Sequence, residues 1–285
     1  GPWNYPFSLI VQPLISALAA GNTAIVKPSE NAPKTALLLQ KIINLHFPND
    51  VVDVVTGDGS IAAELVESGF DHIFFTGGGA IGKKVMQAAA KNLTPVTLEL
   101  GGKSPAIILK GADLASTARR LIWGKGINAG QTCIAPNHVL VQKELKAPLL
   151  KELKKARVSL YGQTPLNSPH LAKIINTHHF KRLTNLLEGA YKKGQIIEGG
   201  DFNEVDQQIE PTIINIEAQS DPLLEEELFG PLLPILSTEN LSSAISLIRN
   251  QARPLAIYLF GGDKADQQNL IGQTSSGSIC FNDVV

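Results

Sequence analysis

Short apolar runs alternate with amphipathic segments of helical length along this chain from Asn22 onward. The runs are continuously apolar, which is typical of strands that are covered on both faces. Proline or glycine stands near the ends of most of the longer segments, as at helix boundaries. The alternation predicts an α/β fold with a mostly parallel sheet. The predicted strands are Thr23–Lys27, Val51–Val55, His72–Phe75, Val96–Glu99, Pro105–Leu109, His138–Val141, Ile209–Ile214, Pro234–Ser237, Leu255–Phe260 and Ser278–Phe281. The predicted helices are Pro33–Phe47, Ala80–Lys91, Asp113–Ile127, Lys143–Leu160, His170–Ala190 and Asn240–Asn250.

Two adjacent glycines, Gly101 and Gly102, separate the first four predicted strands from the later ones. A chain of 285 residues is long enough for about two domains, and 44% apolar residues supply enough side chains for a large core. We therefore predict one domain over residues 1–101 and a second domain over residues 102–285.

The charge balance and the cysteine content exclude several classes of protein. Lys and Arg number 25 against 26 Asp and Glu, so the chain lacks the positive excess that attracts a phosphate backbone, and we predict no nucleic-acid partner. The apolar run Phe7–Ala20 is interrupted by polar residues and is too short to span a bilayer. Two cysteines cannot form a disulfide framework, and no Cys/His cluster has the spacing of metal ligands. We predict a cytoplasmic protein without a metal site.

A glycine-rich stretch matches G-x-G-x-x-G at Gly77, Gly79 and Gly82, directly after an apolar strand that ends at Thr76. Such glycines let the backbone approach a pyrophosphate, and the helix that follows offers free N–H groups and a partial positive charge. The stretch predicts a dinucleotide site. A tight turn between strand and helix without any ligand is the alternative.

Glu99 lies about 20 residues after the glycine-rich stretch, where such sites often carry an acid for a ribose hydroxyl. It is also flanked by Leu98 and Leu100 at the end of a predicted strand. We favour a partly buried carboxylate with a raised pKa that acts as a base. A hydrogen-bonded carboxylate at a strand end without a chemical role is the third interpretation.

Three further positions are candidates for a site. Lys27 and Glu30 follow the first predicted strand, at the sheet edge where open α/β folds bind ligands, although a solvated loop with a helix cap explains them equally well. Cys133 lies between a helix and a strand among glycine and small polar residues, as a nucleophilic cysteine would.

Cys280 lies in an apolar run and is predicted to pack in the core. His178 and His179 are interpreted as surface or hydrogen-bonded positions.

Six motifs that include these candidates occur in one order along the chain. The motifs are Gly1-Pro2-Trp3-Asn4-Tyr5-Pro6, Lys27-Pro28-Ser29-Glu30, Phe75-Thr76-Gly77 with Gly82, Glu99-Leu100-Gly101-Gly102-Lys103-Ser104-Pro105, Gly130-Gln131-Thr132-Cys133 and Glu227-Leu228-Phe229-Gly230-Pro231. Together they resemble the NAD(P)-dependent aldehyde dehydrogenase superfamily over residues 1–285. Residues 93–99 and 254–258 are most similar to its class 3, fatty-aldehyde-type branch.

The resemblance implies an enzyme that oxidises an aldehyde, aliphatic or aromatic, to a carboxylic acid. It implies that Cys133 is the nucleophile, that Asn4 stabilises the oxyanion together with the N–H group of Cys133, and that Glu99 is the base that activates the hydrolytic water. Cofactor contacts are implied at Lys27, Glu30, Thr76, Gly77, Gly82, Glu227 and Phe229. The carboxylate of Glu30 disfavours a 2′-phosphate, so we expect NAD as the cofactor, with NADP tolerated.

The resemblance also implies an α/β fold with a Rossmann-like cofactor domain and a second α/β catalytic domain, incomplete at both ends. The family has an N-terminal region before Gly1 and a C-terminal tail after Val285, and at Gly78-Gly79 it commonly carries Ser or Thr. We expect the full-length protein to be a homodimer, and residues 1–285 alone to be poorly soluble and nearly inactive. The alternatives are a non-catalytic fragment that keeps the motifs and a CoA-acylating dehydrogenase, against which the presence of Glu99 argues.

Overall fold

A computed structural model describes all residues from 1 to 285, which form two compact units over residues 1–101 and 102–285. The boundary falls between the two adjacent glycines. Each unit has its own sheets, helices and buried apolar side chains, and each is described separately. No helix of the chain combines the length and the apolar character needed to cross a membrane.

The first unit alternates helices and strands. Its elements are α1 (Ser8–Ala19), β1 (Ala24–Val26), α2 (Pro33–His46), β2 (Val52–Val54), α3 (Gly59–Glu67), β3 (Ile73–Gly77), α4 (Gly79–Ala89) and β4 (Val96–Leu100). The strands form two parallel pairs, β1 with β2 and β3 with β4, and the second strand of each pair follows a helical segment. A small core contains Ile10, Val26, Leu39, Ile43, Val52 and Val54.

The second unit is built on a seven-stranded sheet. Its elements are β5 (Pro105–Ile108), α5 (Leu114–Gly126), β6 (His138–Gln142), α6 (Lys143–Tyr161), α7 (Thr177–Lys192), β7 (Ile196–Glu198), β8 (Phe202–Asn203), β9 (Gln208–Ile209), β10 (Thr212–Ile216), β11 (Leu232–Thr238), α8 (Leu241–Arg249), β12 (Ala256–Phe260), α9 (Lys264–Gln273) and β13 (Ser278–Phe281). The strand order is β13-β12-β5-β6-β11-β10-β7. All neighbours are parallel except β7, which pairs antiparallel with β10, and β8 and β9 form a separate hairpin.

Both faces of this large sheet are buried. Ile107 and Leu140 point to one face and pack in a cluster with Leu183 of α7, whereas Val139 points to the other face and packs with Leu121 of α5. This arrangement confirms the α/β fold and the covered strands predicted from the continuous apolar runs. In the first unit the same prediction is wrong, because Ile25 of β1 and Phe74 of β3 are 46% and 47% exposed.

Several segments differ from the predicted elements. Helix α7 begins at Thr177 and not at His170, because the side chain of Asn176 accepts the His179 N–H at 3.0 Å and caps the helix there. The predicted strand Ile209–Ile214 is divided between β9 and β10 at Pro211, which has no N–H group for the sheet. Helices α1, α3 and α9 and the short strands β7 and β8 lie outside the predicted set.

Candidate active site

Cys133 follows a loop with an unusual backbone. Asn128, Ala129 and Gly130, which come directly after α5 and its last turn, have φ angles of +50°, +53° and +74°. The left-handed region is unfavourable for residues with a Cβ, so the surrounding structure must hold this conformation. A Cβ at Gly130 would lie 2.2 Å from the carbonyl oxygen of Gly230, so only glycine fits where these two loops touch.

The side chain of Gln131 fixes the loop to the segment before α7. Gln131 is buried, and its amide nitrogen donates to the carbonyl oxygens of Asn128 at 2.9 Å and Lys173 at 3.0 Å. Its amide oxygen accepts the Ile175 N–H at 2.9 Å. The position belongs to one of the six motifs, but no role was predicted for it, because two of its three partners lie more than 40 residues away along the chain.

Cys133 itself occupies a β-turn. The Ala135 N–H donates to the Thr132 carbonyl oxygen at 3.0 Å, which places Cys133 and Ile134 at the two central positions. The thiol is half-buried and is not in a disulfide. Cys280, on the edge strand β13, is also half-buried and contacts the core cluster on the α5 face, where burial raises the pKa of its thiol.

Glu227 and Phe229 lie on the loop between residues 224 and 231, before β11. Phe229 has a φ of +47° and is half-buried. Burial raises the pKa of Glu227 to about 7, against the opposing effects of the Gly102 N–H, which donates to its carboxylate, and the positive charges of Lys125 and Arg182. A carboxyl group with this pKa can gain or lose a proton near neutral pH.

Three side chains hold the backbone of this loop. The Lys103 ammonium donates to the carbonyl oxygens of Leu224 at 2.8 Å and Glu225 at 3.2 Å. The Asn137 side chain accepts the Leu228 N–H at 2.8 Å, and the Arg182 guanidinium donates to the Leu228 carbonyl oxygen. The loop that carries Glu227 and Phe229 is therefore fixed at both ends of the Leu224–Leu228 stretch.

Basic side chains lie around the same loop, and one of them is almost fully buried. Lys125 at the end of α5 is almost fully buried, which lowers its pKa to about 7, while Glu227 raises it and Arg182 lowers it further. Burial, together with the charges of Lys103 and Lys125, lowers the pKa of His138 to about 3, so this imidazole is neutral at physiological pH. No role was predicted from the sequence for Lys103, Lys125 or Arg182, because charged residues in helices and loops are usually exposed.

In the first unit, Lys27 and Glu30 form an ion pair at the end of β1. The Lys27 ammonium lies 3.0 Å from the Glu30 carboxylate, and the N-terminal ammonium of Gly1 donates to the Lys27 carbonyl oxygen at 2.6 Å. Although burial raises the pKa of Glu30, a backbone N–H and Lys27 lower it below its usual range. The helix-cap alternative is wrong, because the residue before Pro33 caps α2 without a side-chain hydrogen bond.

The glycine-rich turn joins β3 to α4. Gly77 ends the strand, Gly78 caps the helix with an extended backbone, and the Gly82 N–H donates to the Gly78 carbonyl oxygen at 3.0 Å. A Cβ at Gly82 would lie 2.8 Å from the Leu100 side chain, so this glycine lets α4 pack closely on β4. A Cβ at Gly78 or Gly79 would meet no other atom of the chain within 4 Å.

Glu99 lies on β4 opposite Thr76 of β3, and its side chain is exposed. The partly buried carboxylate predicted at this position is therefore wrong, because the flanking leucines do not cover it. Asn4 is half-buried and precedes α1. His178 is exposed, as predicted for a surface position, and His179 is half-buried, with their rings 5.4 Å apart.

The two units thus divide the predicted site residues. The first unit contains Asn4, Lys27, Glu30, Thr76, Gly77, Gly82 and Glu99, and the second contains Cys133, Glu227 and Phe229. Within the second unit, the contact between Gly130 and Gly230 brings the loop of Cys133 against the loop of Phe229. The structure has no group of three His, Cys, Asp or Glu side chains placed to hold a metal ion.

The chain is thus a two-unit α/β protein with a glycine-rich turn in one unit and a cysteine turn in the other. The model of the aldehyde dehydrogenase family matches residues 1–285, and the chain belongs to this family. It is 44% identical over 285 residues to aldehyde dehydrogenase family 3 member A2 of Pongo abelii. It is 41% identical over 286 residues to the dimeric NADP-preferring aldehyde dehydrogenase of Mus musculus.

Both alignments cover the whole chain but only 58% and 62% of the relatives, so the chain spans about three fifths of their length. Among solved structures, the substrate-bound state of Staphylococcus aureus AldH has a TM-score of 0.96 at 41% identity, covering 100% of this chain and 62% of that one. Betaine aldehyde dehydrogenase from Staphylococcus aureus in complex with NAD⁺ has a TM-score of 0.90 at 29% identity, covering 100% and 58%.

Proposed function

We propose that this chain carries the machinery for oxidising an aldehyde to a carboxylic acid with NAD(P)⁺, with Cys133 as the nucleophile. The observation that carries the proposal is the constrained turn of Cys133, which three consecutive left-handed residues and the buried Gln131 hold in place. A preorganised nucleophile avoids the cost of being oriented at the moment of reaction. Family membership supports the choice of aldehyde chemistry.

The glycine-rich turn fits a dinucleotide. Since a Cβ at Gly78 or Gly79 would enter empty space, packing within the chain does not require these glycines. They leave the amino end of α4 open to a pyrophosphate, and the Ser or Thr hydroxyl common in the family is absent there. We assign cofactor contacts to Thr76, Gly77 and Gly82 around this turn, and the adenosine ribose hydroxyls to Lys27 and Glu30.

Glu30 also supports a preference between the two cofactors. Its lowered pKa keeps the carboxylate charged at neutral pH, and this charge would repel a 2′-phosphate. We therefore propose NAD as the preferred cofactor, with NADP tolerated. When bound, the cofactor accepts the hydride. Glu227 and Phe229 are assigned to its nicotinamide ribose and ring, on a loop that Lys103, Asn137 and Arg182 hold rigidly.

The remaining steps belong to the side chains of this protein. The Cys133 sulfur adds to the aldehyde carbon, and the amide of Asn4 stabilises the resulting oxyanion, a type of contribution worth about 3 kcal/mol. Loss of the hydride converts the thiohemiacetal to a thioester. Glu99 then takes a proton from water, the hydroxide displaces the Cys133 thiolate, and a carboxylic acid is released. Because Glu99 is exposed, water can reach its carboxylate directly.

We also propose a class of substrate, a cellular compartment and an oligomeric state. Aldehydes with an aliphatic or aromatic body are the proposed substrates. Neither cysteine is in a disulfide, which suits a reducing compartment such as the cytoplasm. A homodimer is proposed for the full-length protein.

The test is NADH formation with a panel of aldehydes, followed together with the mass of the peptide that contains Cys133. Cys133→Ala should abolish both NADH formation and the acyl adduct while NAD⁺ binding, followed by tryptophan fluorescence, stays within a few-fold. Cys280→Ala is the matched control and should retain turnover. Measurable turnover by the Cys133→Ala variant would contradict the assignment of the nucleophile.

Glu99→Gln separates the two functional interpretations of that residue. If Glu99 is the deacylation base, the variant should release about one NADH per site and then stop, because hydride transfer precedes hydrolysis. If Glu99 binds a ribose, the cofactor KM should rise without such a burst. Cofactor binding by the unsubstituted chain without any adduct at Cys133 would instead support the non-catalytic alternative.

A further inference from the structure

Tyr258 of β12 is a buried tyrosine whose hydroxyl reaches the turn of Cys133. Only 2% of its surface is exposed, and its backbone is paired with Ala106 of β5 and Cys280 of β13. The hydroxyl donates a hydrogen bond to the carbonyl oxygen of Ile134, the residue that follows Cys133. It also accepts the Val285 N–H at 3.4 Å. The same hydroxyl therefore connects the cysteine turn to the residues that follow β13.

The surroundings keep this hydroxyl protonated. Burial raises the pKa of Tyr258 to about 12. The Val285 N–H lowers this pKa, whereas the negative charges that the thiols of Cys280 and Cys133 carry when ionised raise it. The phenol is thus a hydrogen-bond donor throughout the pH range in which proteins work.

We propose that Tyr258 is a positioning residue for Cys133, an inference that rests on the proposed function of Cys133 as the nucleophile. Ile134 and Cys133 are the two central residues of one turn, so a bond to the Ile134 carbonyl restrains the peptide plane between Ile134 and Ala135. By restraining the turn, the bond limits the positions that the Cys133 sulfur can take. A misplacement of about 1 Å at a reacting atom can reduce a rate about a hundredfold.

Tyr258→Phe removes the hydroxyl and leaves the buried ring in place. The experiment uses a Cys280→Ala background, in which alkylation by iodoacetamide reports Cys133 alone. Alkylation is followed by intact mass, and kcat and the NAD⁺ KM are measured on the same samples. Tyr161→Phe is the matched control, because the ring of Tyr161 contacts the same core cluster while its hydroxyl lies against Gly126, outside the turn.

We expect Tyr258→Phe to change the alkylation rate of Cys133 by about fivefold, the equivalent of one hydrogen bond. We expect it to lower kcat by about tenfold or more while the NAD⁺ KM stays within about twofold. Tyr161→Phe should leave all three quantities within about twofold. A folded Tyr258→Phe variant with the reactivity and kcat of its parent would overturn the proposal, even if its melting temperature falls.

Two readouts keep this inference distinct from the proposed function. If the parent oxidises no aldehyde, the proposed function fails, but the alkylation ratio still decides whether Tyr258 positions the sulfur. If Tyr258→Phe does not fold, 3-fluorotyrosine at position 258 keeps the ring and the hydroxyl but makes the phenol a stronger donor. A changed alkylation rate in that protein supports the proposal, and an unchanged rate overturns it.

Discussion

Burial of Lys125 disfavours the charged form of its side chain. It lies at the end of α5 with 3% of its surface exposed. The negative charge of Glu227 raises the pKa of Lys125, but burial also disfavours the charged form of Glu227. Two cations, Lys125 and Arg182, act on the carboxyl group of Glu227. By contrast, one carboxyl group and one further cation act on Lys125. The ammonium of Lys125 is therefore incompletely compensated at neutral pH.

This environment predicts a pH-dependent stability. The pKa of Lys125 is lowered from its usual 10.5 to about 7 in the folded chain, so between these pH values the unfolded chain binds more protons and the free energy of unfolding rises with pH. The rise is at most on the order of 5 kcal/mol, since one pKa unit corresponds to about 1.4 kcal/mol. Glu227 contributes its opposite slope only below about pH 7, where its own carboxyl group titrates.

Lys125→Met should remove that rise. We expect the variant to be more stable than its parent near pH 7, with the difference shrinking toward about pH 10, as urea denaturation at a series of pH values would show. The exposed Lys143 provides the control, and Lys143→Met should leave the slope of the parent unchanged. Parallel stability curves for the parent and Lys125→Met between these pH values would refute the prediction.

The burial of a side chain could be predicted from the sequence only where residues close to it in the chain determine it. The leucines beside Glu99 predicted a partly buried carboxylate, but the side chain is exposed on β4, and the partly buried acid is Glu227. The pKa of Glu227 also depends on a hydrogen bond from Gly102 and on the charge of Lys125, both more than 100 residues earlier in the chain. No local pattern around Glu227 contains this information.

At the scale of elements, the contact between the two loops of the second unit depends on one glycine. Gly130→Ala would place a methyl group 2.2 Å from the Gly230 carbonyl oxygen at a φ of +74°. We expect a loss of about 2 to 4 kcal/mol in the free energy of unfolding, or displacement of the loop, with loss of Cys133 reactivity. Gly189→Ala in α7, where a Cβ meets nothing within 4 Å, should instead stabilise the chain by about 0.5 to 1 kcal/mol. Chemical denaturation compares the two variants, and equal effects would contradict this account.

Elements were predictable where their signals are local. The apolar runs located most strands of the large sheet to within one or two residues, because burial on both faces requires continuous apolar sequence. The start of α7 was missed because a cap at Asn176 decides it, and the nine residues of α3 were not recognised as a helix. The loops of the site depend on bonds between residues 91 to 124 positions apart, namely Asn137 with Leu228, Lys103 with Leu224 and Tyr258 with Ile134.

At the scale of the whole molecule, the first unit differs from the second in how much apolar surface it leaves uncovered. Helix α2 buries Ala36, Leu39 and Ile43 on one side. Leu38, Ile42 and Leu45 form a stripe on the other side with exposures of 51%, 41% and 74%. Single exposed apolar residues are ordinary on protein surfaces, but a row at helical spacing is a site of association.

The exposed stripe of α2 predicts that residues 1–285 self-associate when purified. Each large apolar side chain moved out of water contributes about 1.5 to 3 kcal/mol, so three adjacent ones are enough to drive association at micromolar concentrations. Replacing both ends of the stripe, with Leu38→Lys and Leu45→Lys, should shift the chain toward the monomer in size-exclusion chromatography with light scattering. Val205→Lys is the control, because Val205 is 94% exposed but isolated in the β8–β9 hairpin. The prediction is wrong if the parent chain remains monomeric over the whole concentration series. It is also wrong if Val205→Lys shifts the chain toward the monomer as strongly as the double substitution does.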